Sequence, residues 1–206
     1  MADFLYPFLG EGTDPSVEEV RRSTRLKFDE GIELRRQLER ESAEEAAADL
    51  TAVFRAGGRL FTMGNGGSAT DASDCARAVR EVLRKGAVAL CEDEATVTAL
   101  ANDVGFETVF ARPLAALARP GDALLAFSTS GNSANLGPAF EVARRLGLLT
   151  LAMTGSDGGT LARSHEQHGC PRHLVFVRSF HVPRIQEAHC AAYHRLLRRV
   201  EELLSA

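Results

Sequence analysis

The chain has 206 residues, 45% hydrophobic and 25% charged, the balance of a soluble globular protein with a full core. Its 24 Lys and Arg against 28 Asp and Glu leave a net charge of −4, which argues against a nucleic-acid binder that works by neutralising phosphates. No run approaches the roughly 18 apolar residues of a membrane span, and no basic stretch precedes the apolar residues near the start, so no signal peptide is read. Four cysteines (Cys75, Cys91, Cys170 and Cys190) without C-x-x-C spacing read as reduced thiols of a cytoplasmic protein.

Residues 1–14 contain Pro7, Gly10 and Gly12 and read as an irregular lead-in to a single domain over 15–206. Asp14 is placed to cap a helix that opens on Pro15. That helix is predicted over 15–41. Its apolar residues are sparse (Val17, Val20, Leu26, Phe28, Ile32, Leu34, Leu38), the make-up of a helix that faces a partner or packs against a domain. Ser42 and Glu45 have the spacing of a capping box for a second helix over 42–56, which Gly57 and Gly58 end.

Strands and helices then alternate. Apolar runs at 59–63, 87–91, 123–128, 148–153 and 173–177 have strand length. Helical patterns fall at 68–84, 93–102, 109–118, 134–146 and 159–164, and a long final helix at 183–205. Such alternation predicts a parallel sheet covered on both faces by helices, with ligands beyond the carboxyl ends of its strands.

Two loops fall at those ends. The first reads Asn65, Gly66, Gly67, Ser68 after Gly64; the glycines permit positive φ and close approach of a ligand. The second places Ser128, Thr129, Ser130 and Ser133 within six residues, four hydroxyls before a helix start expected at Ser133. Both suit a phosphate held by backbone N–H groups and hydroxyls at a helix N-terminus. Each also reads as a plain strand-to-helix turn. Neither ends in G-K-[ST], so a nucleoside triphosphate is not expected. Gly64, Gly66 and Ala69, with Glu92 after the next strand, fit a loose dinucleotide pattern that leaves the second loop unexplained.

On the last helix Gln186, Cys190 and His194 share a stripe. An amide and an imidazole on one face suit a metal or proton transfer, or simply a helix whose polar ends are hydrogen-bonded against the sheet. His165, His168 and Cys170 lie close together but lack a fourth zinc ligand. Asn102 and Asp103 read as an exposed turn or as groups that hold a ligand hydroxyl. The basic stretch 80–85 reads as a solvated helix end.

Loops 64–68 and 128–133, with Asn102 and Asp103, the glycines of 154–159 and residues 184–187, together resemble the sugar isomerase (SIS) family over about residues 20–206. The likeness is to its phosphoheptose isomerase branch, which interconverts sedoheptulose 7-phosphate and a heptose 7-phosphate. A SIS protein that binds the bacterial replication initiator is similar to the same pattern. The resemblance implies a flavodoxin-like three-layer α/β/α fold with a five-stranded parallel sheet and N-terminal helices, and a homotetramer. It implies contacts to a phosphorylated sugar at Asn65, Gly66, Gly67, Ser68, Asn102, Asp103, Ser128, Thr129, Ser130, Ser133 and Gln186.

Zinc-binding members of the family use a His and a Glu four residues apart, which fall here on Asp74 and Ala78, together with the residues matching Gln186 and His194. The resemblance thus implies zinc on Asp74, Gln186 and His194, a set short of its second carboxylate. The family's general base is that Glu, and alanine accepts no proton. Catalysis would then fall to His194 with Asp74, or with a displaced carboxylate such as Glu81. The alternative implied by Ala78 is a non-catalytic phosphosugar sensor or scaffold.

Overall fold

The computed structural model describes residues 17–40 and 43–206. The expected lead-in 1–14, the Asp14 cap with Pro15, and the Ser42 cap lie outside the described residues. Two helices come first, α1 (Val17–Arg40) and α2 (Glu44–Arg55). Then follow β1 (Leu60–Gly64), α3 (Gly67–Glu81), β2 (Ala87–Ala89) and α4 (Glu94–Asp103). A 3-10 turn (Phe106–Thr108) leads to α5 (Ala111–Leu117), β3 (Ala123–Ser128) and α6 (Leu136–Leu146). The chain ends with β4 (Leu149–Thr154), α7 (Gly159–His168), β5 (His173–Phe176) and α8 (Val182–Ser205).

The five strands form one parallel sheet in the order β2-β1-β3-β4-β5. This is the expected three-layer α/β/α arrangement. β1 and β3 are buried along their whole length, which is why their sequences read as unbroken apolar runs. Side chains alternate between two cores. Leu125 and Phe127 of β3 pack with Leu50 and Phe54 of α2, Cys75 and Val79 of α3, and Tyr193 and Leu196 of α8. Leu124 and Ala126 pack on the other face with Leu114 of α5 and Leu136 and Phe140 of α6. Leu34 of α1 joins a third cluster with Val177, Ile185 and Ala188, so α1 packs along α8. Val20, Leu26, Phe28 and Ile32 of α1 stay exposed.

The strand order places a topological switch between β1 and β3, where the chain leaves in opposite directions across the sheet. The crevice beyond such a switch is where open α/β sheets take ligands. Register pairs Gly64 with Phe127, so the loops after β1 and β3 emerge side by side. At the opposite end, Asp122 accepts hydrogen bonds from the backbone N–H groups of Arg59 (2.8 Å) and Arg119 (2.9 Å), tying the two strand starts together.

Four expectations are corrected in detail. The run 87–91 is a strand only to Ala89; beyond it Cys91 turns toward α3 and its Sγ donates to the Ala69 carbonyl at 3.5 Å. The helix expected over 159–164 continues to His168 and closes on Gly169 at φ +63°. The pattern 109–118 is a helix only from Ala111, after the 3-10 turn. The helix expected to open at Ser133 starts at Leu136, because residues 131–135 are committed to turns: Ser128 Oγ accepts from Gly131 N, and Ser133 O accepts from Leu136 N.

Candidate functional site

The first loop is built for close packing. Gly66 has φ +55° and ψ −125°. A Cβ on Gly64 would stand 2.3 Å from the Ser68 carbonyl, and one on Gly67 would stand 2.0 Å from Nε2 of Gln186. The Gln186 amide therefore rests on the opening turn of α3, as the resemblance implies for a residue that shares a ligand with this loop.

The second loop is fixed from both sides. On one side Asn65 and Asn135 exchange two amide hydrogen bonds of 3.0 and 2.9 Å across 70 residues of sequence, and Asn135 has no exposed surface. On the other side Ser156 Oγ donates to the Thr129 carbonyl at 3.2 Å, and Asn132 Oδ1 accepts from the N–H and hydroxyl of Thr160. Gly131, at φ +66°, lies so close to Gly158 that a Cβ would meet its carbonyl at 2.1 Å. Ser128 Oγ is used inside the loop, and Ser130 Oγ accepts from Asn132 N at 3.3 Å. Among the described residues no hydrogen bond joins the Thr129 or Ser133 hydroxyl to another protein group, and both residues are half-buried.

Helices α3 and α8 run side by side in the same direction. Gly67 meets Gln186 at one end, and seven residues on Asp74 meets Tyr193 and His194. The buried Tyr193 hydroxyl donates to Asp74 Oδ2, and its ring stands edge-on to Phe127 at 5.7 Å. Arg77 binds Asp74 Oδ1 and, at 2.7 Å, Glu81. His194 Nε2 lies 3.7 Å from Asp74 Oδ2, and its imidazole is more than half exposed. The Tyr193 hydrogen bond, followed by that of Arg77, holds Asp74 below the usual carboxylate range, so it is an anion facing His194. Burial, with the Asp74 bond, pushes the Tyr193 hydroxyl up and keeps it a donor. His189, fully buried beneath the site, is drawn down to about 4 by burial and stays neutral.

Asp71 sits one helical turn before Asp74. Its Oδ2 is sealed from solvent and has no partner among the described residues. Burial, with the charge of Asp74, raises Asp71 to about 6.

The structure thus brings Asn65, Gly66, Gly67 and Gln186 together, and Asp74 with His194. Ser128, Thr129, Ser130 and Ser133 share the adjoining loop. Asn102 and Asp103 end α4, exposed, and hydrogen-bond to each other at 2.7 Å; among the described residues neither bonds to the two loops. His165 is taken by the Pro171 carbonyl at 2.6 Å.

The donor set does not fit zinc. Both Asp74 oxygens are engaged, one by a cation, and Ala78 offers no donor atom. Among the described residues no group of three His, Cys, Asp or Glu side chains is placed to hold a metal.

Comparison with known proteins agrees with this architecture. A family model described as the SIS domain matches residues 27–155. A phosphoheptose isomerase of Crocosphaera subtropica is 46% identical over 158 residues, which cover 74% of this chain and 78% of that protein. One from Mycobacterium tuberculosis is 43% identical over 171 residues, 81% of this chain and 84% of its own. The solved structure of a phosphoheptose isomerase from Neisseria gonorrhoeae is similar with a TM-score of 0.80 at 32% identity, covering 89% of this chain and 99% of that one.

Two predictions follow from the hydrogen bonds and from Asp71. Asn135→Ala leaves the Asn65 amide unpaired and lowers stability by about 1–3 kcal/mol in urea unfolding. Adding Asn65→Ala then costs much less than it does alone; additive losses would show that the two amides are not coupled. Asp71 has a folded pKa near 6 against 3.8, raised by burial and by the charge of Asp74, with the buried Cys75 thiol on the same helix also within reach of its charge. Its protonated form favours the folded state, a contribution present below about pH 4 and lost as pH rises through 6. Asp71→Asn is therefore more thermostable than the unchanged protein at pH 7–8, and the difference disappears near pH 4.

Proposed function

The chain belongs to the SIS domain family, in its phosphoheptose isomerase branch, and from that premise we propose that it binds a phosphorylated ketose and isomerises it to the aldose. Sedoheptulose 7-phosphate is the substrate its relatives suggest. The observation that carries this reading is the amide pair of Asn65 and Asn135, which holds two anion-suited loops at one switch point with the Thr129 and Ser133 hydroxyls unclaimed. The phosphate sits between the loops, where the N–H groups opening α3 and the loop hydroxyls donate to its oxygens. The carbon chain then runs along the α3–α8 seam past Gln186 toward His194. There His194 gives and takes protons at the sugar oxygens, and ionised Asp74, 3.7 Å away, orients the ring and steadies its charged form.

Incubation of the purified chain with sedoheptulose 7-phosphate, followed by NMR, gives the aldose. His194→Ala lowers the rate by about 100-fold or more. The same sugar phosphate raises the melting temperature of both proteins, about 2.7 kcal/mol of stabilisation at a hundredfold excess over Kd. A melting shift without conversion in the unchanged protein would instead support the sensor or scaffold reading, which rests on Ala78. No shift with any hexose or heptose phosphate would end both.

The chain works without zinc in this reading, and four copies assemble through the exposed apolar residues of α1. Metal analysis of the purified protein gives far less than one zinc per chain, and chelators leave turnover unchanged. Asp74→His with Ala78→Glu gains zinc. Light scattering gives a mass about four times the 22.2 kDa chain; one zinc per native chain, or a monomer, would overturn the respective claim. The setting is cytoplasmic, in keeping with four free thiols and with no described helix long and apolar enough to cross a membrane.

A further inference from the structure

Moving a ketose carbonyl from C2 to C1 requires a group that takes a proton from one carbon and returns it to the next. Position 78, an alanine, has none. Three carboxylates lie on α3: Asp71, Asp74 and Glu81. Asp74 has one oxygen under the Tyr193 hydroxyl and the other on Arg77, and these bonds make it a poor proton acceptor. Glu81 is the last residue of α3, its side chain 60% exposed and held by Arg77, and it stands about 21 Å along the axis from Gly67.

Asp71 is placed differently. It lies one turn beyond Gly67, on the same face of α3 as Gly67 and Asp74. Gly67 faces Gln186 and Asp74 faces Tyr193, and the same offset sets Asp71 opposite Cys190, between those two contacts. It therefore occupies the stretch of the seam between the glycine loop and His194. One of its oxygens is closed to water and bonded to nothing among the described residues.

We propose that Asp71 is the base that carries the substrate's carbon-bound proton, in place of the carboxylate missing at position 78. The proposal rests on the isomerase reading. Asp71, as carboxylate, takes a proton from C1 of the open-chain ketose while that C–H pair becomes the C1=C2 bond. The C2 carbonyl oxygen takes a proton from protonated His194. The enediol then collapses the other way: the O1 proton passes to His194, C1 becomes the carbonyl, and the C1=C2 pair takes the proton from Asp71 at C2. Both side chains return to their starting states, and no oxidant or reductant is consumed. The raised proton affinity of Asp71 suits this work near neutral pH, and its burial without a partner costs the fold stability that a purely structural residue would not forfeit.

The test uses the full-length chain and sedoheptulose 7-phosphate in D2O. The unchanged protein converts the sugar and exchanges deuterium into C1 of recovered substrate. Asp71→Asn folds, shows the same melting shift with the sugar phosphate and an unchanged KM, and loses both kcat and deuterium exchange by about 100-fold or more. Asp71→Glu regains part of both, and Glu81→Gln behaves as the unchanged protein. Turnover and exchange by Asp71→Asn within threefold of normal overturns the proposal, as does loss of exchange in Glu81→Gln instead. If the unchanged protein neither converts nor exchanges the sugar, it is the isomerase reading that fails.

Discussion

The pair of side-chain amides between Asn65 and Asn135 holds the ligand end of the molecule together. Parallel pairing of β1 and β3 delivers two loops to the same edge, but a sheet fixes only where the loops begin. Their relative placement beyond the last ladder bond depends on what joins them. Two primary amides suit that task, because each carries a donor and an acceptor and the pair satisfies both at once. With Asn135 fully buried, water offers no replacement, so opening the pair leaves polar groups stranded. The cost of that opening keeps the hydroxyls of the second loop and the N–H groups of the first in one frame.

The α3–α8 seam extends the frame away from the loops. Gly67 admits Gln186 because it has no Cβ, and this contact sets the register of one helix along the other. Further on, the Tyr193 ring is seated edge-on against Phe127 in the sheet core, so its hydroxyl is a fixed donor. Asp74 takes its position from that donor, and His194 meets an anion whose orientation derives from the sheet itself. The Asp74–His194 end of the seam is thus tied to the same strand, β3, that presents the second loop.

Much of this was legible in the residues. The strand at 123–128 coincides with Ala123–Ser128 because a strand buried on both faces must be apolar throughout. The two loops stood out because glycine and hydroxyl residues cluster after such strands. What local pattern missed depends on distant partners. Ser133 looks like a helix cap, yet the helix waits for Leu136, because the turn hydrogen bonds of Ser128 and Ser133 and the pairing of Asn135 with Asn65 occupy the intervening residues. Nothing near Asn135 in the sequence announces a partner 70 residues away. Asp71 likewise looks like any polar residue early in a helix; its character comes from neighbours that seal one oxygen without bonding to it.

The exchange of the family's His and Glu for Asp74 and Ala78 changes what the seam can hold. A metal needs several donors free to converge, and it brings a charge that comes and goes with supply. Here the cation is Arg77, covalently part of the helix that carries its carboxylate partners, three residues from Asp74 and four from Glu81. Guanidinium stays charged at any working pH and has no open coordination position, so it can neutralise Asp74 but cannot polarise a sugar oxygen as a Lewis acid. Under the isomerase reading, proton transfer by side chains then does the whole of the chemistry, and the base we propose for it is Asp71, whose Oδ2 is unbonded among the described residues, one turn from the glycine loop.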